Sequence, residues 1–538
     1  MRIRSYVLAG VSGLLLIFVF PRPLGLPVEL GWLAWIALLP LLLTLPNTSY
    51  PQAFWRGAAT GFIAYPGILY WIVYCMVTYA GMSRIIAWLV LLLLIAMMAS
   101  FLGLFMVLTR FLVKRANFPL LLSAPCAWTA VELLRTYVPF GGFPWTLLGL
   151  SQHQTLPVIQ IAEFTGVYGV SFLIVVVNAA LASAFPFPGL KPWATVNREP
   201  REARGEPSTV NHAFAWRELL LAALLLAGDL GFGWLRMRQV DQAFTDRPKL
   251  KLALVQGNID QGVKWDETQF WNSLETHLSI TRRLLQDKPD LLIWPEAALT
   301  VIFNEHWDAH SPVIEKLSGF DVDFLVGSLR EEEQDGHKAY YNSAYLLSPK
   351  AQAIWGRYDK IHLVPFGEYV PLQSLFFFAD AIAKGNTGNT TPGREIVVFQ
   401  PPGYRFGCVI CYEVIYGNLV RQFVKQGAQF MTTITNDAWF GQTSAPYQHH
   451  ANLAFRAVEN RVFFARAANT GVSSLVNPLG KVEVASEIYQ PAALSAEIRL
   501  GPAWTTFYTL AGDVFAYLCT LAVLGGLIIG WRRNVTHR

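Results

Sequence analysis

The chain has 538 residues, of which 53% are hydrophobic and 15% charged, with a formal net charge of +5 and a mean hydropathy of +0.35. Soluble chains carry about 25% charged residues, so these values exclude a string of ordinary soluble domains, and equally a disordered, collagenous or disulfide-framework protein. The carboxylates are unevenly placed: only Glu29, Glu132 and Glu163 fall in residues 1–198, whereas residues 239–500 hold 28 of the 37, so an apolar N-terminal part precedes a large polar domain.

A spanning helix needs about 20 mostly apolar residues. Eight segments qualify in chain order: about 5–20, 29–46, 56–79, 84–108, 118–138, 158–185, 218–235 and 506–530. The first follows Arg2 and Arg4 as a signal peptide would. Pro21-Arg22-Pro23 stands where a small-residue cleavage site belongs, so it reads as a retained span. With eight spans, one side of the membrane receives Arg2, Arg4, Arg56, Arg110, Lys114, Arg115, Lys191, Arg217, Arg532 and Arg533, while the short loops of the other have only Arg22 and Arg84 nearby. Lys and Arg concentrate in cytoplasmic loops. Both termini are therefore expected in the cytoplasm, and the polar domain outside, which in a bacterium is the periplasmic face of the inner membrane. The expected division is 1–238 (seven spans, with a cytoplasmic loop near 186–216), 239–500 (the extramembrane domain) and 501–538 (the last span and a tail).

One intramembrane feature stands out. Trp128, Glu132 and Arg135 fall on one helix face. A Glu and an Arg three apart at membrane depth are costly and read first as a structural ion pair, with a lipid head-group contact as the sharper alternative.

The polar domain alternates β-like runs with helical stretches. Strands are expected at Leu250–Gln256, Leu291–Trp294, Phe324–Ser328, Tyr341–Leu347, Arg405–Cys411, Phe430–Thr435 and Ser473–Asn477, and helices near 267–286 and 444–461. This is an α/β pattern of sheets flanked by helices. No GxxxxGK[ST] or GxGxxG run is present, so no phosphate-cradling loop is expected.

Three motifs end or follow these strands. In Trp294-Pro295-Glu296 a carboxylate follows an apolar strand and a turn proline, and burial beside Trp294 would suit it to general-base work. In the run from Tyr358 to Glu368, Lys360 and a second carboxylate share one loop. In GCVICYE a strand ends in a turn at Cys411. A thiol becomes a good nucleophile as the thiolate, which needs a cation or base nearby; Lys360 supplies the one and Glu296 the other. Cys408 and Cys411 form a C-x-x-C pair, but side chains three apart on a strand point to opposite faces, which disfavours a disulfide or shared metal. Cys75, Cys126 and Cys519 lie in spans and read as packing residues. His449-His450 read as plain helical residues rather than metal ligands. No metal and no cofactor are expected.

WPE, YDKIHLVPFGEYVP and GCVICYE, in that order, resemble the Glu-Lys-Cys constellation of the nitrilase superfamily. VQGNI (255–259), KWD (264–266), HLVPFGEYVP (362–371), ICYEVIYG (410–417), NDAWFG (436–441), the W-x₃-E-x₂-R run and GFPW-x₃-G-x-SQ (142–152) look like the apolipoprotein N-acyltransferase family over nearly the whole chain. The resemblance implies a membrane α-helical bundle of about eight spans carrying a nitrilase-like α-β-β-α sandwich. It implies two-step acyl transfer: Cys411 takes an acyl chain from a membrane phospholipid as a thioester and passes it to the N-terminal amine of a diacylglyceryl-cysteine lipoprotein. Glu296 would be the general base, Lys360 the oxyanion stabiliser, Glu368 and Glu413 auxiliary carboxylates, and Trp265, Tyr412 and Trp439 the lining of the lipid site. Residues 372–391 fit a lid, with Phe376, Phe377 and Phe378 dipping toward the membrane interface. The competing reading is a membrane-anchored nitrilase-type amidase acting on a small amide, for which one anchor would suffice. A transporter is disfavoured because few ionisable residues line the spans.

Overall fold

The computed structural model describes residues 2–46, 48–184, 212–303, 312–334, 336–350, 353–369 and 390–536. The chain forms two compact units: residues 1–70, 85–235 and 513–538, and residues 71–84 with 236–512.

The first unit is helical. Its longer helices are Arg2–Phe18, Tyr50–Leu69, Arg84–Phe111, Leu120–Tyr137, Val167–Ala184, the first part of His212–Ala243, and Val514–Thr536. Ile85, Leu89, Leu93, Leu224 and Leu521 stand exposed on these helices. Such exposure is a liability in water and suits a hydrocarbon surround. Among the described residues four helices are long and apolar enough to cross a membrane, or five if Tyr50–Leu69 and Trp71–Thr78 count as one span.

The expected span at 29–46 is broken into Gly31–Leu33, Ala34–Ala37 and Leu39–Leu43. Pro40 lacks an N–H to continue one long helix, and buried side chains satisfy the freed backbone. Leu38 N donates to Asn178 Oδ1 at 2.9 Å, Asn178 Nδ2 donates to Ala34 O at 3.0 Å, and Leu41 N donates to Ser12 Oγ at 2.9 Å. Irregular backbone in a membrane protein persists where protein groups pair it in this way. Close helix packing rests on small residues: a Cβ at Gly57 would fall 2.2 Å from Leu102 O.

Glu132 and Arg135 are buried, but among the described residues no ion pair joins them, which corrects the first reading of the motif. They hold the following loop instead. Glu132 Oε1 accepts from Leu148 N at 2.7 Å, and Arg135 Nη2 donates to Thr146 O at 3.3 Å. Glu132 and Trp128 border an apolar cavity lined also by Phe20, Tyr65 and Phe105.

The second unit holds two six-stranded sheets. The strands are β1 Lys249–Gln256, β2 Leu291–Ile293, β3 Asp323–Gln334, β4 His337–Ser348, β5 Ala353–Asp359, β6 Val398–Phe399, β7 Phe406–Ile410, β8 Phe430–Thr435, β9 Phe464–Ala468, β10 Ser474–Val476, β11 Val482–Ala485 and β12 Ala492–Arg499. The orders are β12-β1-β2-β3-β4-β5 and β11-β10-β9-β8-β7-β6. β1, β2 and β3 run parallel, as do β7, β8 and β9; the other pairs are antiparallel. The two sheets contact each other through β1 and β9 and through β4 and β7. Helix Phe270–Leu284 covers the first sheet, placing Leu274 and Leu278 on Val255, Leu292 and Trp294. Helices Gly417–Lys425 and Ala445–Asn460 cover the second. Every residue of β2, β7 and β8 is buried, as parallel strands covered on both faces require.

All seven expected strands are present. β3 and β4 run longer than expected because their hairpin continues past the apolar core, with Gln334 opposite His337 and Lys338 Nζ 2.8 Å from Glu331 Oε1. Residues 71–79, expected as the end of a span, belong to this second unit.

Candidate active site

The parallel strands deliver the reactive groups at their carboxyl ends, where open α/β sheets form binding crevices. Glu296 follows β2 by three residues, Cys411 follows β7 directly, and Asn436-Asp437 follow β8. Lys360 follows β5. Gly327 on β3 makes room for the Glu296 turn: a Cβ there would lie 2.5 Å from Ala297 N.

Glu296 and Lys360 are both buried, Lys360 being 1% exposed. Lys360 Nζ lies 2.8 Å from Glu368 Oε1 and 3.5 Å from Glu296 Oε1. Burial alone would neutralise this lysine; the Glu368 and Glu296 charges outweigh it, raising the pKa so that the ammonium persists. Asn342 Nδ2 bridges the two carboxylates, 2.7 Å from Glu296 Oε1 and 3.2 Å from Glu368 Oε1. Glu296 Oε2 accepts from Asn436 N at 2.8 Å, and Glu368 Oε2 from Val364 N at 2.8 Å. Glu296 and Lys360 are thus each held in place by several polar contacts.

Cys411 opens the turn Cys411–Ile415 at φ +51°, a left-handed conformation that non-glycine residues adopt at a cost. Glu413 holds this turn. Its Oε2 accepts from Ile410 N at 2.7 Å. Its Oε1 accepts from Ile361 N at 2.7 Å, His362 N at 3.0 Å and Tyr358 Oη at 2.8 Å. One carboxylate therefore ties the Cys411 turn to the Lys360 loop. Burial pushes the Glu413 pKa up to about 7 against the pull of these donors.

The Cys411 thiol is pushed up by burial and by the Glu296 charge, with Lys360 opposing. These surroundings favour the protonated sulfur over the thiolate. Cys408 is sealed within β7, its thiol raised to about 12 by burial.

Among the expected lining residues, Tyr412 is buried edge-to-face on Tyr416, with centroids 5.4 Å apart. Trp265 is half-buried, with an unpartnered indole N–H. Trp439 packs edge-to-face on Tyr79 at 5.0 Å and its carbonyl accepts from Cys75 Sγ at 2.9 Å. Tyr79 Oη donates to Ala438 O at 2.9 Å, and Trp71 packs on Phe440 at 5.0 Å. Residues 71–79 therefore brace the NDAWFG turn, a role the reading of Cys75 as intramembrane packing missed. Phe376, Phe377 and Phe378 lie outside the described residues.

Sequence reasoning also missed Lys264 and Asn342. Lys264 is buried and its Nζ donates to Glu296 O at 3.0 Å; burial lowers its pKa to about 8, against the attraction of Glu296 and Cys411. It sits in the KWD run already singled out, so the signal was present. Asn342 lies mid-strand in β4, where nothing local marks it.

Residues 12–180 match the family described as apolipoprotein N-acyltransferase N-terminal domain, and residues 251–501 match carbon-nitrogen hydrolase. The apolipoprotein N-acyltransferase of Geobacter metallireducens is 38% identical over 538 residues, covering 99% of this chain and 96% of the relative. That of Haemophilus ducreyi is 32% identical over 482 residues, 86% of each chain. Among solved structures, an amidase from Nesterenkonia sp. aligns with 47% of this chain and 92% of its own, at 18% identity and a TM-score of 0.35. The twin-sheet domain, matched as a carbon-nitrogen hydrolase, is of the nitrilase-like class. With its apolar helices the chain is a membrane acyltransferase, and it belongs to the apolipoprotein N-acyltransferase family.

Proposed function

We propose that the chain moves an acyl chain from a membrane phospholipid, through a thioester on Cys411, to the α-amine of a diacylglyceryl-cysteine at a lipoprotein N-terminus. The observation that carries this reading is the buried Glu296–Lys360 pair, 3.5 Å apart, whose two charges act on the Cys411 thiol, in a chain of this family.

In the first step Glu296 takes the Sγ proton as sulfur bonds to the ester carbonyl carbon. Lys360 and the backbone N–H after Cys411 receive the oxyanion, each worth about 3–4 kcal/mol in comparable sites. The C–O bond then breaks, and Glu296 returns the proton to the departing lysophospholipid. In the second step the amine attacks the thioester, Glu296 takes a proton from nitrogen, the C–S bond breaks and the proton goes to Cys411. An ester becomes an amide with no nucleotide consumed. Glu368 anchors Lys360 and Glu413 holds the nucleophile turn, as their hydrogen bonds support. Trp265, Tyr412 and Trp439 line the lipid path in this reading.

The same reading sets eight crossings around the outward 239–500 domain in the bacterial inner membrane, with both termini cytoplasmic. It rests on the Lys/Arg bias of the loops.

The test is transfer of a fluorescent acyl chain from phospholipid to a diacylated lipopeptide by the purified protein. Labelled triacylated peptide is expected, with none from Cys411→Ala and most retained by Cys408→Ala. Loss of transfer in Cys408→Ala alone would overturn the choice of nucleophile. Turnover of small free amides without transfer would favour the amidase.

A further inference from the structure

Asp437 of the NDAWFG run and His449 of the histidine pair have no part in the reaction as described, yet both are fully buried beneath the nucleophile turn. His449 Nε2 lies 3.1 Å from the Cys411 carbonyl oxygen. Its Nδ1 lies 3.1 Å from Asp437 Oδ1 and 3.2 Å from Arg466 Nη2. Arg466 Nη2 donates to Asp437 Oδ2 at 2.6 Å, and Thr435 Oγ1 donates to Asp437 Oδ1 at 2.9 Å. The neighbouring His450 is turned elsewhere, its Nε2 2.8 Å from Ser474 Oγ.

A carbonyl oxygen has no proton to give, so Nε2 must carry one. Two forms of the ring satisfy this: neutral with Nδ1 accepting from Arg466, or doubly protonated with Nδ1 donating to Asp437. Burial and the Arg466 charge press the His449 pKa down, favouring the neutral form. Either form donates to Cys411 O.

That contact matters because Cys411 holds φ +51°, a conformation the surroundings must impose. Glu413 secures the residue before it through Ile410 N; His449 secures the carbonyl after it. A peptide is planar, so fixing that carbonyl fixes the direction of the following N–H, the proposed oxyanion donor. The same Asn436-Asp437 turn donates Asn436 N to Glu296, so one turn supports both the base and the histidine.

We propose that His449, held by Asp437 and Arg466, is a positioning residue of acyl transfer that locks the Cys411–Tyr412 peptide with the sulfur and the oxyanion N–H facing the ester. It rests on Cys411 being the nucleophile.

The test uses the full chain in detergent with His449→Gln, His449→Asn and His449→Phe, following single-turnover acylation by a fluorescent phospholipid, KM for that lipid, and the thermal midpoint. Gln carries an N–H to about the reach of Nε2; Asn reaches only the Nδ1 position; Phe fills the space without a donor. Acylation by Asn and Phe should slow about 100-fold, as misplacement of reacting groups by about 1 Å does. Their KM should stay within about 2-fold, with Gln recovering most of the rate. Asn acylating as fast as Gln, or all three slowing only in step with a falling midpoint, would overturn the proposal alone. No adduct on Cys411 in the unaltered chain would overturn the nucleophile reading and this proposal with it.

Discussion

Glu132 in the helical unit and Glu413 in the sheet unit are both buried carboxylates. Glu132 accepts the Leu148 N–H at 2.7 Å, whereas Glu413 accepts four donors from two separate segments, Tyr358, Ile361 and His362 on one side and Ile410 on the other. Buried charge is tolerated where donors converge on it and is costly where they do not. The denser donor set lies at the Cys411 turn rather than along the helix that carries the W-x₃-E-x₂-R motif.

The largest effect expected is at Cys411, the proposed nucleophile. Cys411→Ala should lower acyl transfer by about 10⁴-fold or more, measured as kcat with lipopeptide, because what remains is only binding and oxyanion stabilisation. Next comes Glu413→Gln. An amide offers its donors a single oxygen, so the turn loses acceptors and kcat should fall on the order of 100-fold. The charged form is the one that receives all four donors, and its pKa is about 7. The pH profile of kcat should therefore carry an acid limb near pH 7 that is absent from the glutamine variant; an unchanged limb would assign it to another group.

Lys264 sharpens the comparison from the cationic side. Its pKa is lowered to about 8 by burial, while in the unfolded chain the lysine keeps its proton to about 10.4. Between these values the unfolded state holds more protons, so stability rises with pH across that window and the burial penalty is felt in full below it. Lys264→Met should remove that slope in thermal midpoint against pH and stabilise the neutral-pH fold by roughly 3 kcal/mol at most. The smallest effect expected is at Glu132. Glutamine keeps an oxygen for Leu148 N, so Glu132→Gln should change stability by less than about 1 kcal/mol, whereas Glu132→Leu strands that N–H and should cost about 1–3 kcal/mol. Equal losses would mean that the charge, not the acceptor, holds the loop.

How much of this was readable in sequence follows from where the determinants lie. Glu296, Lys360 and Cys411 each follow a strand, beside residues whose apolar runs and turn chemistry are local, so the sequence marks each as a candidate. Asn342 joins Glu296 to Glu368 from the middle of β4, a position set by the register of β4 against its neighbours, which no local pattern encodes. The same holds for the helix expected at 29–46: Asn178, more than a hundred residues away, supplies the hydrogen bonds that let it break. His449 looks like an ordinary helical residue in sequence because its partners, Asp437, Arg466 and the Cys411 carbonyl, come from separate segments.

The most direct test of the central claim is the intact mass of the purified protein after incubation with phospholipid alone, followed by peptide mapping. A gain of one fatty acyl group is expected, located on Cys411, stable until a lipopeptide amine is supplied and then lost to it. An unmodified protein, or an acyl group on any other residue, would contradict it.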